Sequence, residues 1–163
     1  MIVIALGANL PSRAGEPRDT LKAALTELSA HDVRIASVSS YYVTKAWPDP
    51  ADPPFVNAVA RIETKLSPAE LMALLHRTET SFGRQRTKKN APRTLDLDLI
   101  DYDGRVETGP PVLPHPRLAD RAFVLVPLAD IAPDWRHPAT GRPISELIAA
   151  LPTEERKIET LKT

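Results

Sequence analysis

The chain has 163 residues, 42% of them hydrophobic, with 21 basic and 21 acidic side chains, which suits one domain with its own core and argues against a protein that lives on nucleic acid or anionic lipid. It has no cysteine, so disulfides, thiolate nucleophiles and Cys-based zinc sites are excluded. The apolar start is too short and lacks the basic flank of a signal peptide, and no apolar run approaches bilayer length; a soluble cytoplasmic protein, with no membrane and no nucleic-acid partner, is expected.

In chain order, Ile2 to Leu6 is an apolar run ending at Gly7 and predicts a buried strand. Leu21, Ala24, Leu25 and Leu28 recur at helical spacing between Glu16 and Ala30. Val33 to Val43 is β-branched and aromatic, predicting one strand. Pro48, Pro50, Pro53 and Pro54 then mark a loop. From Phe55 to Glu63 the residues alternate, with Val56, Ala58, Ala60 and Ile62 on one face and Phe55, Asn57, Val59 and Arg61 on the other.

Ser67-Pro68-Ala69-Glu70 is a capping-box pattern that opens a helix through Leu71, Leu74, Leu75 and Thr78, stopping at Gly83. A basic loop over 84–93 leads into a strand over 95–102 and a hairpin turn at Asp103-Gly104. A second proline cluster, Pro110, Pro111, Pro114 and Pro116, reads as loop. Leu118 to Ala132 predicts two short helices broken at Pro127, and 143–151 a last helix. The polar tail over 152–163 reads as frayed or peripheral. No repeat or linker divides residues 1–163, so a single domain is expected, an α+β sandwich with a mostly antiparallel sheet and helices on its faces.

The most informative stretch is Arg93-Thr-Leu-Asp-Leu-Asp-Leu-Ile100. On a strand, Leu95, Leu97 and Leu99 share one face while Asp96 and Asp98 share the other, roughly 7 Å apart. Two carboxylates projecting together can hold one hard cation or bracket a pair; the plainer reading is a solvated edge. Arg84, Arg86, Lys88, Lys89 and Arg93 fall just before this strand. Cations at that density suit an anion, and beside Asp-x-Asp they point to a nucleoside triphosphate with Mg²⁺. No Walker, protein-kinase or G-x-G-x-x-G pattern is present.

Four other positions leave alternatives open. Glu79 lies near the buried stripe of its helix and needs either a salt bridge, for instance to Arg84, or a ligand. Phe55 and Asn57, on one strand face, suit either a packed core or a flat heterocycle held by stacking and paired hydrogen bonds. His115, between two prolines, is either structural or a phosphate contact.

These pieces, in this order, closely resemble the hydroxymethyl-dihydropterin pyrophosphokinases. The carriers are Leu6-Gly-Ala-Asn-Leu10, Phe55-Val-Asn-Ala-Val59, Gly83-Arg84-Gln85-Arg86, Pro92-Arg-Thr-Leu-Asp-Leu-Asp98, Leu113-Pro-His-Pro-Arg117 and Arg121-Ala-Phe-Val-Leu-Val-Pro127. The resemblance implies a ferredoxin-like fold and a reaction of ATP with a pterin alcohol giving AMP and the pterin diphosphate. It further implies that Asp96 and Asp98 bind two Mg²⁺ ions, and that Glu79, Arg84, Arg86, Lys89, Arg93, His115 and Arg121 surround ATP. Thr44, Phe55, Asn57 and Phe123 would form the pterin pocket, the two rings sandwiching the heterocycle, with Arg84, Arg93, Asp96 and Asp98 the groups essential to turnover. A monomer is expected.

The chain departs from the family pattern at Asn90, where a tryptophan is usual, at Lys89, often arginine, at Lys45 and Ala46, usually prolines, and at Ala8, often serine. Trp47 is expected to cover the site in place of the missing ring. The rivals are another Mg²⁺-dependent nucleotidyl or glycosyl transferase built on Asp-x-Asp, and an RNA-binding α+β module. The latter would need exposed sheet aromatics and a basic surface.

Overall fold

The computed structural model describes residues 1–85 and 88–162. Strand β1 (Ile2–Ala8) is buried along its whole length, as a run apolar on both faces demands, and sits inside the sheet. Helix α1 (Pro17–Ser29) starts on a proline, which costs nothing where no helical N–H bond is due, and buries Leu21, Ala24, Leu25 and Leu28.

The strand expected over Val33 to Val43 is in fact two, β2 (Val33–Val38) and β3 (Tyr42–Thr44). Both pair with the long strand β4 (Phe55–Thr64), β2 against 60–64 and β3 against 55–57. Between them, the Ser39 hydroxyl accepts the Val59 N–H at 2.9 Å while the Ser39 N–H donates to the Val59 carbonyl. A side chain thus takes a backbone carbonyl's place in the ladder, and the strand is broken there.

Helix α2 (Pro68–Ser81) carries the expected reciprocal cap between Ser67 and Glu70, and the chain leaves it through Gly83 at φ 84°. Strand β5 (Asp96–Tyr102) comes next. Asp103 and Gly104 do make a tight turn, both at positive φ, with Arg105 N–H on the Tyr102 carbonyl at 3.0 Å. The segment beyond this turn does not pair with β5: β6 (Glu107–Thr108) and β7 (Val112–Leu113) form a separate hairpin within the second proline cluster.

The break expected at Pro127 lies elsewhere. A 3₁₀ turn (Leu118–Asp120) ends at extended Arg121, and α3 (Ala122–Ile131) runs through Pro127. The proline leaves the Phe123 carbonyl without its helical donor, but Val124, Leu125 and Leu128 are fully buried. Each leucine is worth about 1.5–3 kcal/mol of apolar transfer, so packing overrides the local cost. Helix α4 (Ile144–Ala150) agrees with expectation. The tail is more ordered than expected: after α5 (Thr153–Arg156), β8 (Glu159–Thr160) pairs with β3.

The sheet order is β5-β1-β4-β3-β8, with β2 also on β4, and all neighbours antiparallel. Two strand–helix–strand halves, β1-α1-β2 and β4-α2-β5, interleave as a ferredoxin-like α+β sandwich. Helices α1 and α2 cover one face with Ile4, Leu6, Ile62, Leu97 and Leu99. Helices α3 and α4 cover part of the other with Val3, Ala5, Val59 and Ile100. The rest of that second face, beyond the start of α3, is where the polar residues gather.

Candidate functional site

The end of β1 lies between the starts of β4 and β5, so Gly7 is opposite Asn57 on one side and Asp96 on the other. One pleat further on, Ala5 separates Val59 from Asp98. Asn57, Gly7, Asp96 and Asp98 therefore share one face at one end of the sheet, with a bare backbone between the amide and the carboxylates. A Cβ at position 7 would come within 3.0 Å of Asn57 Oδ1, a close approach that favours glycine.

Arginines bracket the acidic pair. Arg84 donates to Asp96 at 2.7 Å and to the buried carboxylate of Glu79 behind it; Glu79 also accepts the Leu97 N–H at 3.1 Å on the edge of β5. Glu79 is thus paired with Arg84 and turned into the protein, 2% exposed. Arg93 donates to the other Asp96 oxygen at 3.1 Å, and Arg121 reaches Asp98 at 3.4 Å. Burial opposes the Arg84 charge, but Asp96 and Glu79 outweigh it and push its pKa up.

Asp98 is held above the usual carboxylate range, first by burial and then by the charge of Asp96. His115 Nε2 lies 4.0 Å from Asp98, and its Nδ1 accepts the Arg117 N–H at 3.2 Å. Burial pushes its pKa down against the pull of Asp98, and with Nδ1 accepting it is Nε2 that faces Asp98. The donor set fits a hard cation: two half-exposed carboxylates repel one another on one face. No cluster of three such ligands occurs among the described residues. A cation here would need oxygens from water or from its anionic partner, the usual habit of Mg²⁺.

The aromatic side is equally defined. Asn57 is buried and donates to Thr44 Oγ1 at 2.8 Å. The Arg93 guanidinium lies 5.5 Å from the Phe55 ring centre, and that of Arg121 lies 5.4 Å from the Phe123 ring centre. The same two arginines that meet the carboxylates therefore border the two rings. Lys89 and Lys88 line a cavity of about 290 Å³ with Arg84, Asn90 and Arg93. Arg86 lies outside the described residues. Trp47 stands in solvent, 68% exposed.

One residue, Asn9, stands out in the sequence only as part of the opening motif Leu6-Gly-Ala-Asn-Leu10. Asn9 is buried; its Oδ1 accepts the Arg93 N–H at 2.8 Å and its Nδ2 donates to the Pro53 carbonyl at 3.0 Å. It joins the proline loop to the basic loop through backbone groups, which leave no trace in side-chain pattern.

A sandwich that sets paired carboxylates and a bank of arginines beside two aromatic rings has the parts of a phosphoryl-transfer enzyme. The family model for 7,8-dihydro-6-hydroxymethylpterin-pyrophosphokinase (HPPK) matches residues 3–133, and the chain belongs to that family. Family membership makes it a pyrophosphokinase of folate biosynthesis. It is 42% identical over 156 residues to the 2-amino-4-hydroxy-6-hydroxymethyldihydropteridine pyrophosphokinase of Pseudomonas aeruginosa, covering 94% of this chain and 93% of that one. To the enzyme of the same name in Synechocystis sp. it is 42% identical over 148 residues, 90% of this chain and 73% of the other. A crystal structure of Plasmodium falciparum HPPK-DHPS superposes with a TM-score of 0.66 at 12% identity; the match covers 90% of this chain and 43% of that longer one, a likeness of fold alone.

Proposed function

We propose that the protein transfers the β,γ-pyrophosphoryl group of ATP to the hydroxymethyl oxygen of 6-hydroxymethyl-7,8-dihydropterin. The alcohol oxygen bonds to the β-phosphorus, the bond from that phosphorus to the α–β bridging oxygen breaks, AMP leaves and the hydroxyl proton is lost. The observation that carries this reading is the shared face of Asn57, Asp96 and Asp98 across the bare strand at Gly7. A ring seated at Asn57 would have the carboxylates on the same sheet face, two strand spacings away.

Asp96 and Asp98 are the ligands proposed for two Mg²⁺ ions, which when bound supply charge neutralisation at the phosphates and a lowered hydroxyl pKa. Arg84 and Arg93, bonded to Asp96, offer their remaining N–H groups to phosphate oxygens and stabilise negative charge as it shifts to the leaving oxygen. Glu79 keeps Arg84 in place from behind. Lys89, His115 and Arg121 border the same space, and Arg86 joins them by the resemblance. Phe55 and Phe123 stack on the two sides of the pterin, while Asn57 and Thr44 read its edge by hydrogen bonds. Trp47 and the basic loop close over the filled site and exclude water.

The protein is proposed to act as a monomeric, single-domain cytoplasmic enzyme without nucleic-acid or membrane partners; no helix among the described residues is long and apolar enough to cross a membrane. A coupled assay for AMP released from ATP on addition of the dihydropterin alcohol tests the reading. AMP formation that depends on the alcohol supports it. No alcohol-dependent AMP from folded protein with Mg²⁺ rejects it in favour of another Asp-x-Asp transferase.

A further inference from the structure

Strand β3 is three residues long, too short to hold its place by one ladder alone. It nevertheless carries Thr44, whose hydroxyl accepts from Asn57, and its Tyr42 is the register partner of Asn57. Two further attachments hold it. Tyr42, on the same face as Thr44, donates its hydroxyl to Asp130 Oδ2 of α3 at 2.7 Å, and the Ser40 N–H reaches the same oxygen at 3.3 Å. On its outer edge, Tyr42 and Val43 pair with Thr160 and Glu159, and the Leu161 N–H donates to the Tyr41 carbonyl at 2.7 Å.

We infer that the Tyr42–Asp130 hydrogen bond and the C-terminal strand together brace β3, making Tyr42 and Asp130 positioning residues for pterin recognition by Thr44 and Asn57. The inference rests on the proposed pterin pocket. The bond ties β3 to the helix whose first turn carries Phe123, so the edge-reading pair and one stacking ring keep a fixed separation. The family match ends at residue 133, so the C-terminal half of the brace lies outside what that match covers. Burial, and then the bond to Asp130, push the Tyr42 hydroxyl up to about 12, so it remains a donor at physiological pH. Neither residue bonds to the acidic pair, and the brace acts on the pterin side alone.

The test is a steady-state comparison of Tyr42→Phe, Asp130→Ala, Asp130→Asn and a chain ending at Lys157, with KM measured separately for pterin and ATP beside a thermal melt. Losing the bond shifts the pocket by a fraction of an ångström, so the pterin KM rises roughly three- to tenfold in Tyr42→Phe and Asp130→Ala. The ATP KM stays within about twofold, and Asp130→Asn, which keeps an acceptor oxygen, falls near the parent. An unmoved pterin KM in the first two variants, or both KM values rising together with lost stability, overturns the brace. If the shortened chain does not fold, the point variants decide. An active parent with unmoved variants sinks the brace alone, whereas a parent that never turns over pterin sinks the proposed function and the brace with it.

Discussion

Arg84 donates to Asp96 at 2.7 Å while its other carboxylate partner, Glu79, lies buried behind it. The guanidinium is thus pinned from the protein side and shared with a residue that faces the open end of the sheet. Replacing Glu79 with Gln removes the rear charge but keeps an acceptor. A loss of about 1–3 kcal/mol in urea unfolding is expected, the range for disturbing a buried charged hydrogen bond, together with lower kcat. Unchanged stability and rate would show that Asp96 alone places Arg84.

Asp96→Ala and Asp98→Ala should each lower kcat by roughly a thousandfold or more, the scale of losing a preorganised electrostatic group. Stability should respond differently. The raised pKa of Asp98 means that its charged form is disfavoured by the fold, first through burial and then through Asp96. Asp98→Asn is therefore expected to melt at or above the parent temperature while being inactive. Near-normal turnover in either alanine variant contradicts the metal assignment.

The chain has two tryptophans, in opposite surroundings. Trp135 is buried with its Nε1 on Asp101 at 2.9 Å, whereas Trp47 is 68% exposed. In a Trp135→Phe background, emission should report Trp47 alone. Adding pterin with a non-hydrolysable ATP analogue should shift it to the blue and shield it from acrylamide. Trp47→Ala should raise the pterin KM; unchanged affinity and turnover in that variant rule out its role as a cover.

His137 sets an acid limit on stability. Its Nδ1 accepts the N–H groups of Ala139 and Thr140 at 3.1 and 3.3 Å, which only an unprotonated nitrogen can do, and burial pushes its pKa below the usual 6.5. As pH falls through that value the unfolded chain takes up the proton first. Stability from this group is therefore complete above pH 6.5 and lost as the pH drops toward the lowered folded value. A His137→Gln variant should show a shallower fall in melting temperature below that pH; identical slopes would refute the assignment.

Much of this architecture was readable because it repeats with the period of its element. The alternation across Asp96 to Leu99, the stripe of α1 and the cap at Ser67 each declare themselves locally, and the pleat alone puts Asp96 and Asp98 on one face. Features that depend on a single long-range bond were not readable. Ser39 breaks a strand by lending its hydroxyl to Val59, and nothing in a run of β-branched residues marks it. Strand β8 is two exposed polar residues whose partners lie more than a hundred positions earlier. Pro127 reads as a breaker until the burial of its neighbours is known. That Asp96 and Asp98 face the same way, beside Arg84 and Arg93, was foreseeable from the motif; that Arg93 and Arg121 each border both a carboxylate and a ring required the fold.

The absence of a side chain at Gly7 makes the site a gauge of length. Two strand spacings, about 10 Å, separate the backbone of Asn57 from that of Asp96, and position 7 between them contributes no side chain of its own. With pterin and phosphates seated as proposed, an alcohol carried on a longer arm would overshoot the phosphorus and one attached directly to the ring would fall short, so discrimination among pterins would come from a fixed span of sheet rather than from a wall.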